Sequence, residues 1–195
     1  MRNGKLLILA LVLVTFPMIQ NCGGGGGGGG GSNSDLIVAD QLINDGWSNI
    51  QVGNFQTATS NFQQALSATL SDSQRISANN GLGWSLSKSG KILESIPYFE
   101  MAADRDNEAK VGLSGALVYR HLTATDYLRA AEMLGNMPPE KFSSSHSGLG
   151  LSSAKVHALA AIAYALSGDQ ANAKIYINKA AALDSTMVGT TVDKI

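Results

Sequence analysis

GWSNIQVGNFQTA, residues 46–58, and GWSLSKSGKILES, residues 83–95, hold both tryptophans of the chain, each inside the same Gly-Trp-Ser triplet. Laid over one another at an offset of 37, they set Gly53 on Gly90, Phe55 on Ile92 and Ala58 on Ser95, and beyond them Phe62 on Phe99 and Ala65 on Ala102. The same template finds a third copy in Val118, Tyr119, Tyr127, Ala130, Leu134 and Met137. A fourth follows in Ala161, Ile162, Gly168, Ala173, Ile177 and Ala180. Recurrence at this period marks a supersecondary unit that buries its apolar face by stacking on its neighbours.

Each unit predicts two helices joined by a short turn. Leu42, Gly46 and Ile50 share one stripe of the first helix, and Ala58, Phe62, Ala65 and Leu66 lie at helical spacing on the second. Ser71-Asp72-Ser73-Gln74 has the form of a capping box ahead of the helix that carries Trp84, and Asp169 stands where the last helix should start. Gly53-Asn54, Ser89-Gly90 and Ser167-Gly168 supply the turns, and strand signals are absent. Pro97 falls inside the second helix of the second unit, where it removes a backbone hydrogen bond unless that helix starts near Ile96, so the second unit is expected to be irregular. Residues 138–148, PPEKFSSSHSG, predict a solvated, flexible loop between the third and fourth units.

A small residue on the first helix, a glycine turn, then an aromatic, Ala, Phe and Ala on the second: over residues 39 to 185 this resembles the tetratricopeptide repeat (TPR) family. The resemblance implies an all-α fold of antiparallel helix pairs stacked as a short α-solenoid of about four repeats. It explains why Gly46, Gly83, Ala58, Ala65 and Ala102 are small, since large residues of one helix pack against small ones of its neighbour. It also implies that the residue after the small one faces the concave side, a position held by Trp47, Trp84, Tyr119 and Ile162. Ile43, Asn80 and Lys88, with Asp40 and Ser87, fall on the same inferred face. That mixture of apolar anchors and hydrogen-bonding groups suits an extended or helical peptide of another protein. The alternative is that both tryptophans fill core space between helices.

Ahead of the repeats, Arg2 and Lys5 precede an apolar run from Leu6 to Phe16 in the layout of a secretory signal. The run is short of the ~20 residues that span a bilayer. The one cysteine, Cys22, lies where such a signal is cut, and alone it can form no intramolecular disulfide. Met18-Ile19-Gln20-Asn21-Cys22 resembles the lipobox of bacterial lipoproteins, which implies that Cys22 is the lipidated first residue of the mature chain. Nine glycines, Gly23 to Gly31, follow it. Polyglycine buries nothing and stays coiled, so residues 23–34 predict a tether with an end-to-end distance of ~20 Å. The expected organisation is a lipoprotein signal peptide at 1–21, lipidated Cys22 and tether at 22–34, and a repeat domain at 35–195.

Removing Arg2 and Lys5 takes the basic count from 14 to 12 against 15 acidic residues, a formal charge of −3. A nucleic-acid partner needs a concentrated basic face, and adhesion to anionic lipid needs a polybasic patch; neither is present. His121, His146 and His157 lack metal-ligand spacing, and no metal or other cofactor is expected. Ser143-Ser144-Ser145-His146-Ser147 sets serines beside a base, without the fixed orienting group that nucleophilic catalysis needs. Glu94 and Glu100 have no second carboxylate at a defined separation. The expected function is that of a non-enzymatic, lipid-anchored scaffold for another envelope protein. It would face the periplasm from the outer membrane, with surface exposure as the alternative location. The competing reading is an envelope hydrolase or enzyme accessory subunit using residues 143–150.

Overall fold

The computed structural model describes residues 33–137 and 142–184. The signal segment, Cys22 and the polyglycine run lie outside the described residues. Eight helices follow in order: α1 Asn33–Gln51, α2 Phe55–Leu66, α3 Asp72–Lys88, α4 Ile92–Ala102, α5 Asn107–Arg120, α6 Ala124–Gly135, α7 Ser153–Leu166 and α8 Gln170–Leu183. A 3-10 turn, Ser147–Leu149, precedes α7, and the described residues hold no strand. The fold is all-α, and the four helix pairs correspond to the four units read from the sequence.

Local chemistry places the boundaries. Ser71 Oγ accepts the Gln74 amide at 3.3 Å while Gln74 Oε1 accepts the Ser71 amide at 2.9 Å, a complete capping box at the start of α3. Asp169 Oδ1 accepts the Asn172 amide at 3.0 Å and starts α8. Asp106, Thr123 and Ser152 cap α5, α6 and α7 in the same way. Between helices of a pair, Gly53, Gly90 and Gly168 adopt φ of 80°, 86° and 91°, which a side chain would strain. Of the two alternatives for Pro97, the structure takes the first: α4 starts at Ile92, not near Ile96, and the proline lies within it. The Leu93 carbonyl loses its helical donor, but Leu93 faces solvent, while Ser95, Ile96, Phe99 and Ala102 remain on the buried side.

Each helix packs on the next, and α1 on α3, α3 on α5, and α5 on α7 also pack directly. Direct stacking of the odd-numbered helices makes them the inner layer of a TPR-like solenoid, with α2, α4, α6 and α8 outside. The two layers interlock through aromatic rings set against glycine. Phe62 and Phe99 have no exposed surface. A Cβ added at Gly46 or Gly81 would lie 2.6 or 2.1 Å from the Phe62 ring; at Gly83 or Gly112 it would lie 2.6 or 2.4 Å from Phe99. Each ring thus occupies the volume two missing side chains leave, and its burial contributes about 1.5–3 kcal/mol.

Candidate functional site

The inner layer carries the residues named from the sequence, and the chain itself covers much of that layer. Residues 142–151 cross it, extended up to His146 and then turning through the 3-10 helix at Ser147–Leu149. Phe142, Ser144, His146 and Gly148 turn inward and are partly buried, whereas Ser143, Ser145 and Ser147 are exposed, a period of two. Leu149 is buried in the core. The expectation of a flexible, solvated loop is therefore corrected. This polar segment is held by side chains distant in sequence.

Glu108, at the start of α5, is the centre of that hold, and only 4% of its surface is exposed. Its Oε1 accepts the Ser144 hydroxyl at 2.6 Å and the His146 amide at 3.0 Å. Its Oε2 faces His146 Nδ1 at 2.6 Å and accepts Asn80 Nδ2 at 3.3 Å. Burial pushes the Glu108 pKa up, but the His146 ring, the Ser144 hydroxyl and the His146 amide outweigh it and hold the carboxyl below its ordinary value. An ionised carboxylate only accepts, so Nδ1 is the donor and the imidazole orientation is fixed. Asp106, which also accepts from Asn80 at 3.2 Å, is shifted upward by burial against the opposing Ala109 amide.

The His146 ring lies flat on Trp47, with centroids 3.5 Å apart and planes 9° from parallel. Lys88 Nζ donates to the Leu149 carbonyl at 3.1 Å, and Lys155 Nζ to that of Gly150 at 2.6 Å. Gly148 lies so close to α1 that a Cβ there would fall 2.6 Å from the Gln51 Cα. A cavity of about 270 Å³ remains between α1 and the segment, lined by Asn44, Trp47, Gln51, Ser145, His146 and Gly148 among others.

Each tryptophan belongs to the core cluster and also borders a cavity. Trp47 is 9% exposed and Trp84 8%. One side of each indole meets the Phe core edge-on, Trp47 on Phe62 at 5.4 Å and Trp84 on Phe99 at 5.3 Å. On its other side Trp47 carries the His146 ring, while Trp84 borders a second cavity of about 360 Å³, lined by Ile92, Ala116, Tyr119, Leu151 and Leu159 among others. Trp47 Nε1 donates to Ser77 Oγ at 3.1 Å. Seven residues before Tyr119, where Ser77 stands seven before Trp84, the chain has Gly112, and Trp84 Nε1 is buried without a partner among the described residues.

The remaining named residues separate. Ile43 is 5% exposed and Asn80 fully buried, so neither stands open; Asn80 instead ties α3 to the cap of α5. Lys88 reaches the loop, and Tyr119 is 56% exposed at the mouth of the second cavity. His121 is exposed at the end of α5, and His157 is buried in α7, 5.7 Å from the Tyr176 ring. No group of three His, Cys, Asp or Glu residues among the described residues could hold a metal ion. Glu94 pairs with Lys91, and Glu100 with Arg129, on helix surfaces. Sequence reading missed Glu108 and Ser77 altogether. Glu108 looked like any charged residue of a helix first turn.

The arrangement favours holding over bond breaking. The Ser144 hydroxyl bonds to Glu108 Oε1 and to the main chain of His146, not to the imidazole ring, so carboxylate and imidazole act as a clasp on the backbone. The chain matches no protein-family model and no curated protein. Among solved structures it is similar to MamA MSR-1 C2, with a TM-score of 0.37 and 17% identity, covering 78% of this chain and 99% of that one. The fold assignment rests on the helix pairing described above.

Proposed function

We propose that the chain is a non-enzymatic scaffold that captures an extended segment of another envelope protein along the layer formed by α1, α3, α5 and α7. A lipid on Cys22 would hold it at the outer membrane on the periplasmic side. One observation carries the binding reading: residues 142–151 already lie in that layer, extended up to His146 and closed by the 3-10 turn Ser147–Leu149. The layer grips them by side chain, through Trp47 and Glu108, and by main chain, through Lys88, Lys155 and Glu108. Such a surface selects an extended chain by pockets on alternate residues. Residues 142–151 would act as an internal occupant that a partner displaces, and Trp47, Trp84, Tyr119 and Lys88 would line the vacated site, with Ile43 and Asn80 buried beneath it. The anchor and location rest on the signal, Cys22 and the glycine tether.

Immobilised full-length protein offered detergent-solubilised envelope should retain a partner that a synthetic peptide of residues 142–151 releases. Trp47→Ala with Trp84→Ala, checked for retained helicity, should reduce capture at least tenfold. A retained set indifferent to both the peptide and the double substitution would sink the proposal. Hydrolysis of envelope polymer by the purified chain, lost in His146→Ala, would favour the enzymatic reading instead.

A further inference from the structure

The clasp at Trp47 and Glu108 has features that an imidazole does not fully use. The carboxylate is ionised and almost wholly buried, and it stands beside a flat indole face that stacks a ring at 3.5 Å. A carboxylate within hydrogen-bond reach of a group stacked on an aromatic is a combination that suits a planar cation. The guanidinium of arginine stacks and donates two parallel hydrogen bonds to both carboxylate oxygens, whereas a lysine ammonium is a compact charge that cannot stack. His146 reaches only Oε2 with its ring; Oε1 is satisfied separately by Ser144 and the His146 amide. Beside the imidazole, the 270 Å³ cavity offers room for a longer side chain, with Asn44, Gln51 and Ser145 on its walls. A second carboxylate, Asp106, lies behind Asn80, so this end of the site is acidic.

We propose that the partner segment carries an arginine, whose guanidinium takes the place of His146 on Trp47 and pairs with Glu108. This rests on the reading that the inner layer binds an extended segment, and it names the side chain that segment must present. In the free protein His146 is the stand-in. Lys88 and Lys155, which hold the carbonyls of Leu149 and Gly150, would hold the same backbone positions of the incoming segment.

The test uses the full chain in detergent and two peptides spanning residues 142–151, with arginine or its uncharged isostere citrulline at the position of His146. Binding is read from tryptophan fluorescence and by calorimetry. In His146→Gly, which removes the competing imidazole from Trp47 and Glu108, the arginine peptide should bind at least tenfold tighter than the citrulline peptide. It should also bind tighter than it does to the wild-type chain. Adding Glu108→Gln should bring the arginine peptide to the citrulline level. Should His146→Gly fail to fold, the wild-type chain must show the same preference at weaker absolute affinity. Equal binding of the two peptides overturns the arginine assignment and leaves the extended-segment reading standing. Failure of both peptides to bind a folded His146→Gly chain overturns that underlying reading.

Discussion

Gly81→Ala should change the sign of its effect on stability according to what stands at position 62. In the native chain the added Cβ would fall 2.1 Å from Phe62 Cζ and 2.3 Å from Cε1. The ring cannot retreat, since it has no exposed surface and Trp47 meets it edge-on at 5.4 Å. Overpacking of this kind costs about 1–3 kcal/mol, and an overlap this deep belongs at the upper end. Replacing glycine in a helix interior returns about 1 kcal/mol, so the net loss should be about 1–2 kcal/mol. Phe62→Ala alone should cost about 3–5 kcal/mol, from lost burial and the cavity left behind. In that background Gly81→Ala meets no ring, keeps its helical advantage and should stabilise by about 1 kcal/mol. The coupling between the two sites is then about 2–3 kcal/mol. Urea unfolding of the four proteins, followed by far-ultraviolet circular dichroism, measures it. Should Phe62→Ala leave too little of the usual 5–15 kcal/mol to work with, Phe62→Leu supports the same comparison at reduced size. If Gly81→Ala destabilises equally in both backgrounds, the ring and the glycine are not complementary and the account of the core is wrong.

Cys22→Ser should abolish incorporation of labelled fatty acid and release the protein from the membrane fraction, because the proposed anchor is the lipid on that cysteine and stable anchoring needs more than one acyl chain; a wild-type chain that takes up no label ends the anchor proposal. Acid should loosen residues 142–151. The folded value of Glu108 lies below its ordinary 4.5, so its contribution is present above that pH and fades as pH falls through the folded value. Asp106, shifted upward, works in the opposite sense and is relieved by protonation. Iodide quenching of tryptophan fluorescence should therefore rise below pH 4.5 in the wild type. In Glu108→Gln it should be raised and flat across that range. An identical profile in both would show that the carboxylate does not hold the segment.

The helix pairs were legible because their signals are local. Ser71 and Gln74 are three residues apart, Gly53, Gly90 and Gly168 each serve their own turn, and Phe62 and Phe99 repeat at one offset. The alternative between groove and core for the tryptophans was not legible, because it depended on residues 142–151. From Phe142 to Gly148 that segment alternates inward and outward, but largely on Ser, His and Gly, where alternation carries no hydrophobic signal. Its partners lie far away in the chain, Glu108 38 residues before His146 and Lys88 61 before Leu149. A charged residue in the first turn of a helix has an ordinary explanation in the helix dipole, so nothing marked Glu108 as the acceptor for a distant imidazole. Only Leu149 and Leu151, two apolar residues closing a polar run, hinted that it returns to the protein.

A stack of repeats whose units touch only their neighbours behaves as a spring: it can open or tighten by small rotations at each joint, and its ends can fray independently. Residues 142–151 place a strut across that spring. Leaving from the third pair, they lay His146 on Trp47 of the first, 99 positions back in the chain. Force applied at α1 would then be shared with α3, α5 and the α7 entry rather than borne by the first joint alone. The same long-range tie raises contact order, so closing it belongs late in folding, after the local helix pairs have formed. A partner that lifts the strut would change the stiffness of the whole repeat domain as well as the occupancy of one site.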